Sequence, residues 1–174
     1  MILWYSGCGN SRFVADTLAH ELGDANMVFI PGAARNNTPL VLGPDETLGI
    51  VFPVYSWSVP KLVSEFLRTA AIKGKPGYIF AAVTCGDETG LTEKHLRKDL
   101  AKQNLQLDAF FSFQMPETYV NLPGFCQAGS SGVYLALLIL RSIQLETGQV
   151  DICFRHLERE ECIKLQVLLG KVFP

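Results

Sequence analysis

Near its start the chain carries YSGCGNS (Tyr5–Ser11), a stretch of small and polar residues that directly precedes a helix-forming pattern. Those residue types in that place can hold an anion. The N–H groups of a helix's first turn have no intrahelical acceptor and lie at the positive end of its dipole. A phosphate set there gathers several hydrogen bonds, each roughly 1.5–3 kcal/mol when made to a charged group, and the dipole adds roughly 0.3–1 kcal/mol. Ser6 and Ser11 add hydroxyl donors, Asn10 an amide, and Gly7 and Gly9 let the backbone come close. The competing reading is an ordinary strand-to-helix turn with Asn10 as N-cap. Three other phosphate motifs each fail at a residue they require. A Walker A loop needs a lysine that does not follow here, and a dinucleotide fingerprint needs a third glycine where Arg12 stands. A low-molecular-weight tyrosine-phosphatase loop needs an arginine six residues after Cys8, where the chain has Val14.

Two later segments suit a flat ring. FPVYSWSVP (Phe52–Pro60) sets Tyr55 and Trp57 just beyond an apolar run, where aromatic rings either pack under a neighbouring loop or form a stacking platform. TCGDETG (Thr84–Gly90) offers small residues and backbone N–H groups, then the carboxylates of Asp87 and Glu88. It reads equally as the cap region of the next helix, with Thr92 as N-cap. A phosphate cradle, an aromatic platform and a small polar loop on one edge predict a mononucleotide bearing a tricyclic ring. No paired carboxylates and no Ser–His or Cys–His arrangement point to acid–base or nucleophilic catalysis. His20, His95 and His156 read as ordinary surface or boundary residues.

These loops need a scaffold, and the hydrophobic pattern supplies one. Short apolar runs predict strands at Ile2–Tyr5, Asn26–Ile30, Thr47–Phe52, Tyr78–Thr84 and Ala109–Gln114. Helical periodicity predicts helices at Asn10–Leu22, Val59–Ala71 and Thr92–Gln103, and further ones near 131–146 and 154–169. In the first, Phe13, Val14, Thr17, Leu18 and Leu22 fall on one face, and Gly23 follows the end. Pro60 belongs in the first turn of the second. The stretch from Pro31 to about Asp45 reads as a loop rich in Gly, Pro and Asn. Strands alternating with helices imply right-handed crossovers and a parallel sheet covered on both faces. The fold class is therefore α/β: a three-layer α/β/α domain with a five-stranded parallel sheet. Such sheets bind ligands beyond the C-terminal strand ends, where strand order reverses.

Bulk properties narrow the class. The 174 residues suit one domain, with 48% hydrophobic and 18% charged residues, so the chain can bury a sizeable core. A net charge of −2 argues against nucleic-acid binding. The five cysteines, Cys8, Cys85, Cys126, Cys153 and Cys162, form neither a disulfide framework nor a zinc or iron–sulfur spacing. They suit reduced thiols in a cytoplasmic protein. The longest apolar run, VYLALLIL at 133–140, is far short of the ~20 residues of a membrane span, so no membrane association is expected.

On these residues the chain resembles the flavodoxin family. YSGCGNS is similar to the family's phosphate loop, [ST]-x-[ST]-G-N-[ST], with Ser6, Gly9, Asn10 and Ser11 in place and Cys8 where a hydroxyl residue is usual. FPVYSWSVP resembles the loop after the third strand in one flavodoxin-like branch. MPETYVNLPG (Met115–Gly124) resembles that branch's M-P-x-N-Y segment. Longer members of the branch continue into a two-cluster ferredoxin domain, whose cysteine motif is absent here. The resemblance covers about residues 1–125 and leaves the last 45 or so unplaced. It implies flavin mononucleotide (FMN) as cofactor and electron transfer as function, with a redox partner protein of the ferredoxin type. Ser6, Cys8, Gly9, Asn10 and Ser11 would hold the phosphate. Pro53, Tyr55, Ser56 and Trp57 would flank the ring, Thr84, Cys85 and Gly86 would meet its polar edge, and Tyr119 would cover it. Flavodoxins often have a glycine whose peptide bonds the reduced ring, and the run Ser56, Trp57, Ser58 has none. The alternatives are an FMN-dependent NAD(P)H oxidoreductase of the quinone-reductase type and a flavodoxin-like interaction module without flavin.

Overall fold

The computed structural model describes residues 1–23 and 25–115. In chain order these form β1 (Ile2–Trp4), α1 (Asn10–Glu21), β2 (Met27–Phe29), α2 (Ile30–Asn36), β3 (Leu40–Leu42), β4 (Thr47–Pro53), α3 (Lys61–Thr69), β5 (Ile72–Gly74), β6 (Tyr78–Cys85), α4 (Thr92–Ala101) and β7 (Ala109–Gln114). Five strands pair in parallel in the order β2-β1-β4-β6-β7, as the alternating pattern requires. The order reverses at β1, since the chain moves outward to β2 on one side and to β4, β6 and β7 on the other.

Alternate side chains serve opposite faces of the sheet. Leu48, Ile50 and Phe52 of β4, with Ile79, Ala81 and Val83 of β6, meet Ile30 and Ala33 of α2, Val63, Phe66 and Leu67 of α3, and Leu96 and Leu100 of α4. Val51, Phe80 and Ala82 point the other way, with Ile2, Phe111 and Phe113, towards Val14, Ala15, Leu18 and Ala19 of α1. The result is a three-layer α/β/α fold of the flavodoxin-like kind. Between α3 and α4 the buried Asp99 carboxylate accepts a hydrogen bond from Ser64 and lies 3.7 Å from the Arg68 guanidinium. Among the described residues no helix is long and apolar enough to cross a membrane.

The structure corrects the sequence reading in several places. The segment read as a loop from Pro31 contains α2 and β3. Pro31 sits in the first turn of α2, where its missing N–H costs nothing, and Asn37 ends that helix in the left-handed region at φ 48°. β3 and β5 form a separate two-stranded parallel ribbon, Leu40 opposite Ile72 and Leu42 opposite Gly74. Phe13 is half exposed at 50%, because the buried stripe of α1 runs through Ser11, Val14, Ala15, Leu18 and Ala19. Pro60 is the N-cap of α3 and lies outside its first turn. Leu91 is the N-cap of α4, and Thr92 is its first helical residue, donating from Oγ1 to the Thr89 carbonyl at 2.6 Å. The helices expected near 131–146 and 154–169, and the segment with Tyr119, lie outside the described residues.

Gly49 sits mid-β4, where an added Cβ would come within 2.5 Å of Ile2 Cδ1 and 2.6 Å of Phe80 Cζ. Both neighbours are fully buried, so Gly49→Ala is expected to cost about 1–3 kcal/mol by overpacking, measured by urea unfolding. At the base of β6, burial and then the nearby Asp108 carboxylate raise the Tyr78 hydroxyl above its ordinary pKa. A raised folded-state value means the folded chain holds its proton longer than the unfolded one. This contribution is fully present below about pH 10 and declines as pH rises through the folded value. Tyr78→Phe is therefore expected to flatten the alkaline limb of a stability–pH profile, read by denaturant midpoints above pH 9.

Candidate functional site

Strand register brings the three loops to one edge. Trp4 pairs with Val51, and Pro53 with Thr84, so β1, β4 and β6 end near one another. The chain after β4 stays close to β6, since the Val54 N–H donates to the Thr84 carbonyl at 2.7 Å.

After β1, residues Gly7, Cys8 and Gly9 are exposed. Gly9 is the N-cap of α1, in the left-handed region at φ 104° that glycine enters without strain. Its N–H donates to Ser6 Oγ at 2.9 Å, and its carbonyl accepts from the Phe13 N–H at 2.9 Å. Asn10 is thus the first helical residue and not the cap. Ser6 accepts with its oxygen and keeps its own hydroxyl hydrogen for another partner. Gly7 and Tyr55 approach closely: a Cβ at Gly7 would come within 2.5 Å of the Tyr55 hydroxyl, at the far end of that side chain. The aromatic segment therefore folds down onto the first loop, with the Tyr5 and Tyr55 rings edge to face at 6.3 Å.

Beyond Pro53, Tyr55 and Ser58 exchange both backbone hydrogen bonds at 3.1 Å. Between them Ser56 and Trp57 have φ of 50° and 56°. Both central residues at positive φ define a type I′ turn, which ordinarily selects Asn and Gly. For L-residues with side chains this conformation costs roughly 1–2 kcal/mol each. The turn lifts two rings into the open, Tyr55 at 44% and Trp57 at 64% exposed.

The third loop is tied to both others. Ser11 Oγ and Thr84 Oγ1 are 2.8 Å apart and buried. These hydroxyls, expected as ligand donors, join the start of α1 to the end of β6. The Cys85 thiol donates to the Asp87 carbonyl at 3.4 Å, and the Gly86 carbonyl accepts from Gln114 Nε2 at 2.9 Å. Asp87 and Glu88 are exposed. The Leu91 N–H donates to the Trp57 carbonyl at 3.0 Å. Ser58 Oγ lies 2.7 Å from His95 Nδ1, so the half-buried imidazole, read as a surface or boundary group, bonds to the end of the 55–58 turn. No sequence signal marks that pairing, because the partners are 37 residues apart and meet only through the crossover between β4 and α4.

The structure thus gathers Ser6, Cys8, Gly9, Asn10, Ser11, Pro53, Tyr55, Ser56, Trp57, Thr84, Cys85 and Gly86 at one edge, whereas Tyr119 lies outside the described residues. Cys8 and Cys85 are free thiols, and among the described residues no cluster of His, Cys, Asp or Glu could hold a metal ion.

Thr84→Val is expected to leave the buried Ser11 hydroxyl without its partner and to cost about 1–3 kcal/mol. The double variant Ser11→Ala/Thr84→Val should cost less than the two single losses added together, a coupling read from a double-mutant cycle of unfolding energies. No protein-family model matches this chain and no curated protein matches it, so a functional reading rests on the geometry of these loops.

Proposed function

We propose that this chain belongs with the flavodoxins, binds FMN at the edge where β1, β4 and β6 end, and transfers electrons to or from a redox partner protein of the ferredoxin type. The observation that carries this reading is the approach of Tyr55 to Gly7. It sets a solvent-open aromatic pair against a glycine-bearing helix start, the two ends of a ligand with a phosphate at one end and a ring at the other. When bound, the flavin supplies the one- and two-electron chemistry.

The chain's own residues bind, orient and tune. First-turn N–H groups of α1, with the Ser6 hydroxyl, meet the phosphate. Tyr55 and Trp57 offer ring faces, and offset or edge-on aromatic contacts contribute roughly 0.5–1.5 kcal/mol beyond burial. Asp87 and Glu88, exposed on the neighbouring loop, disfavour added negative charge on a ring beside them and so make a reduced flavin a stronger reductant. The open side of Trp57 also suits the second reading, an FMN-dependent NAD(P)H oxidoreductase of the quinone-reductase type. Steady-state consumption of NAD(P)H separates the two.

The deciding experiment is an absorbance spectrum of the purified chain before and after adding FMN and removing the excess. Retained near-ultraviolet and blue flavin bands are expected, with riboflavin, which lacks the phosphate, binding at least about tenfold more weakly. A chain that stays colourless would favour the flavin-free interaction module. Cys8→Ser replaces a weak S–H donor by a hydroxyl and is expected to tighten FMN binding about two- to fivefold by titration, with riboflavin unaffected.

A further inference from the structure

The turn that presents Trp57 is held by residues outside it. Ser56 and Trp57 both occupy the left-handed region, so the sequence of the turn does not by itself favour its shape. Three features of residues 90–95 bear on it. The Leu91 N–H donates to the Trp57 carbonyl at 3.0 Å, which fixes the peptide that follows Trp57. Gly90, at φ 54°, lies so close that a Cβ there would come within 2.5 Å of Trp57 Cβ. His95 Nδ1 meets Ser58 Oγ at 2.7 Å in a half-buried contact. The His95 N–H is bonded within α4 to the Leu91 carbonyl at 3.0 Å, so the imidazole projects from a regular helix and not from a loop. Either neutral tautomer of the ring can make the bond, since the serine hydroxyl both donates and accepts.

We propose that His95 is a positioning residue of the site: through Ser58 it anchors the 55–58 turn to α4, and with Gly90 it presets the Trp57 ring before a ligand arrives. This rests on the flavin reading given above. A preset platform binds more tightly because less side-chain and loop freedom is lost on association. The residue therefore acts through Trp57 and need not touch the ligand.

The test uses the full chain carrying Trp4→Phe, which leaves Trp57 as the sole tryptophan of the two in the sequence. Time-resolved anisotropy of Trp57 without ligand, and the FMN dissociation constant, are measured for His95→Leu and His95→Asn. His95→Leu is expected to enlarge the fast-decaying part of the anisotropy and to weaken FMN binding roughly three- to tenfold. His95→Asn, whose carboxamide reaches about as far as Nδ1, is expected to restore both. If His95→Leu does not fold, Ser58→Ala removes the same bond from the turn side and should give the same pair of changes. Unchanged anisotropy in the folded variants overturns the proposal, even if FMN binding weakens. So does a His95→Asn variant as impaired as His95→Leu. If neither the unaltered chain nor the Trp4→Phe parent binds FMN, the flavin reading fails, while the ligand-free anisotropy still decides whether His95 holds the turn.

Discussion

β4 has to satisfy two cores at once, and the rest of the arrangement follows from that demand. Leu48, Ile50 and Phe52 fill one side of the sheet and Val51 the other. Each fully buried large aliphatic or aromatic side chain contributes about 1.5–3 kcal/mol. At Gly49 the strand yields its place on the α1 side to Ile2 and Phe80, which close over it from the two flanking strands. That interlock fixes the register of β1 and β6 on β4. Register in turn fixes where each strand ends, and hence which loops become neighbours. Pro53 emerges beside Thr84 because Gly49 lies beside Phe80 four residues earlier.

Parts of this were legible in the letters, and the reasons differ by element. LGIVF and YIFAAVT are continuous apolar runs, and only a strand covered on both faces has use for such a run. The first loop was legible because its small residues separate a strand from a helix so abruptly. The β3–β5 ribbon was not, since three-residue strands carry almost no periodic signal and each depends on a partner about thirty residues away. Nor was α2, whose Pro31, Gly32 and Asn36 resemble punctuation until the proline is placed in a first turn. Phe13 illustrates a different limit. A helical wheel groups it with Val14 and Leu18, and only the direction from which β1 and β4 approach decides that Ala15 and Ala19 face inward instead.

At the site, residue type was a guide to neighbourhood. Ser11 and Thr84 do belong to the same edge, and their buried hydroxyls face each other, as a buried hydroxyl needs a partner. His95 is a side chain without any motif that meets Ser58 because α4 runs alongside the turn. The type I′ geometry at Ser56 and Trp57 could not be read from the sequence either, since neither residue announces positive φ. Strain of that kind persists where surrounding contacts over-determine the backbone, and here those contacts come from residues 90–95.

The outer end of the sheet has its own consequence. Among the described residues β2 has no strand beyond it, and it is only three residues long. Its last side chain, Phe29, leans on Trp4 of the adjacent strand with ring centroids 4.5 Å apart, and the Arg12 guanidinium lies over that Trp4 ring at 5.6 Å. A strand so short exposes few unpaired backbone groups, and a cation beside its aromatic end resists a second apolar strand laid against it. Among the described residues, that end of the sheet is thereby a poor template for edge-to-edge growth.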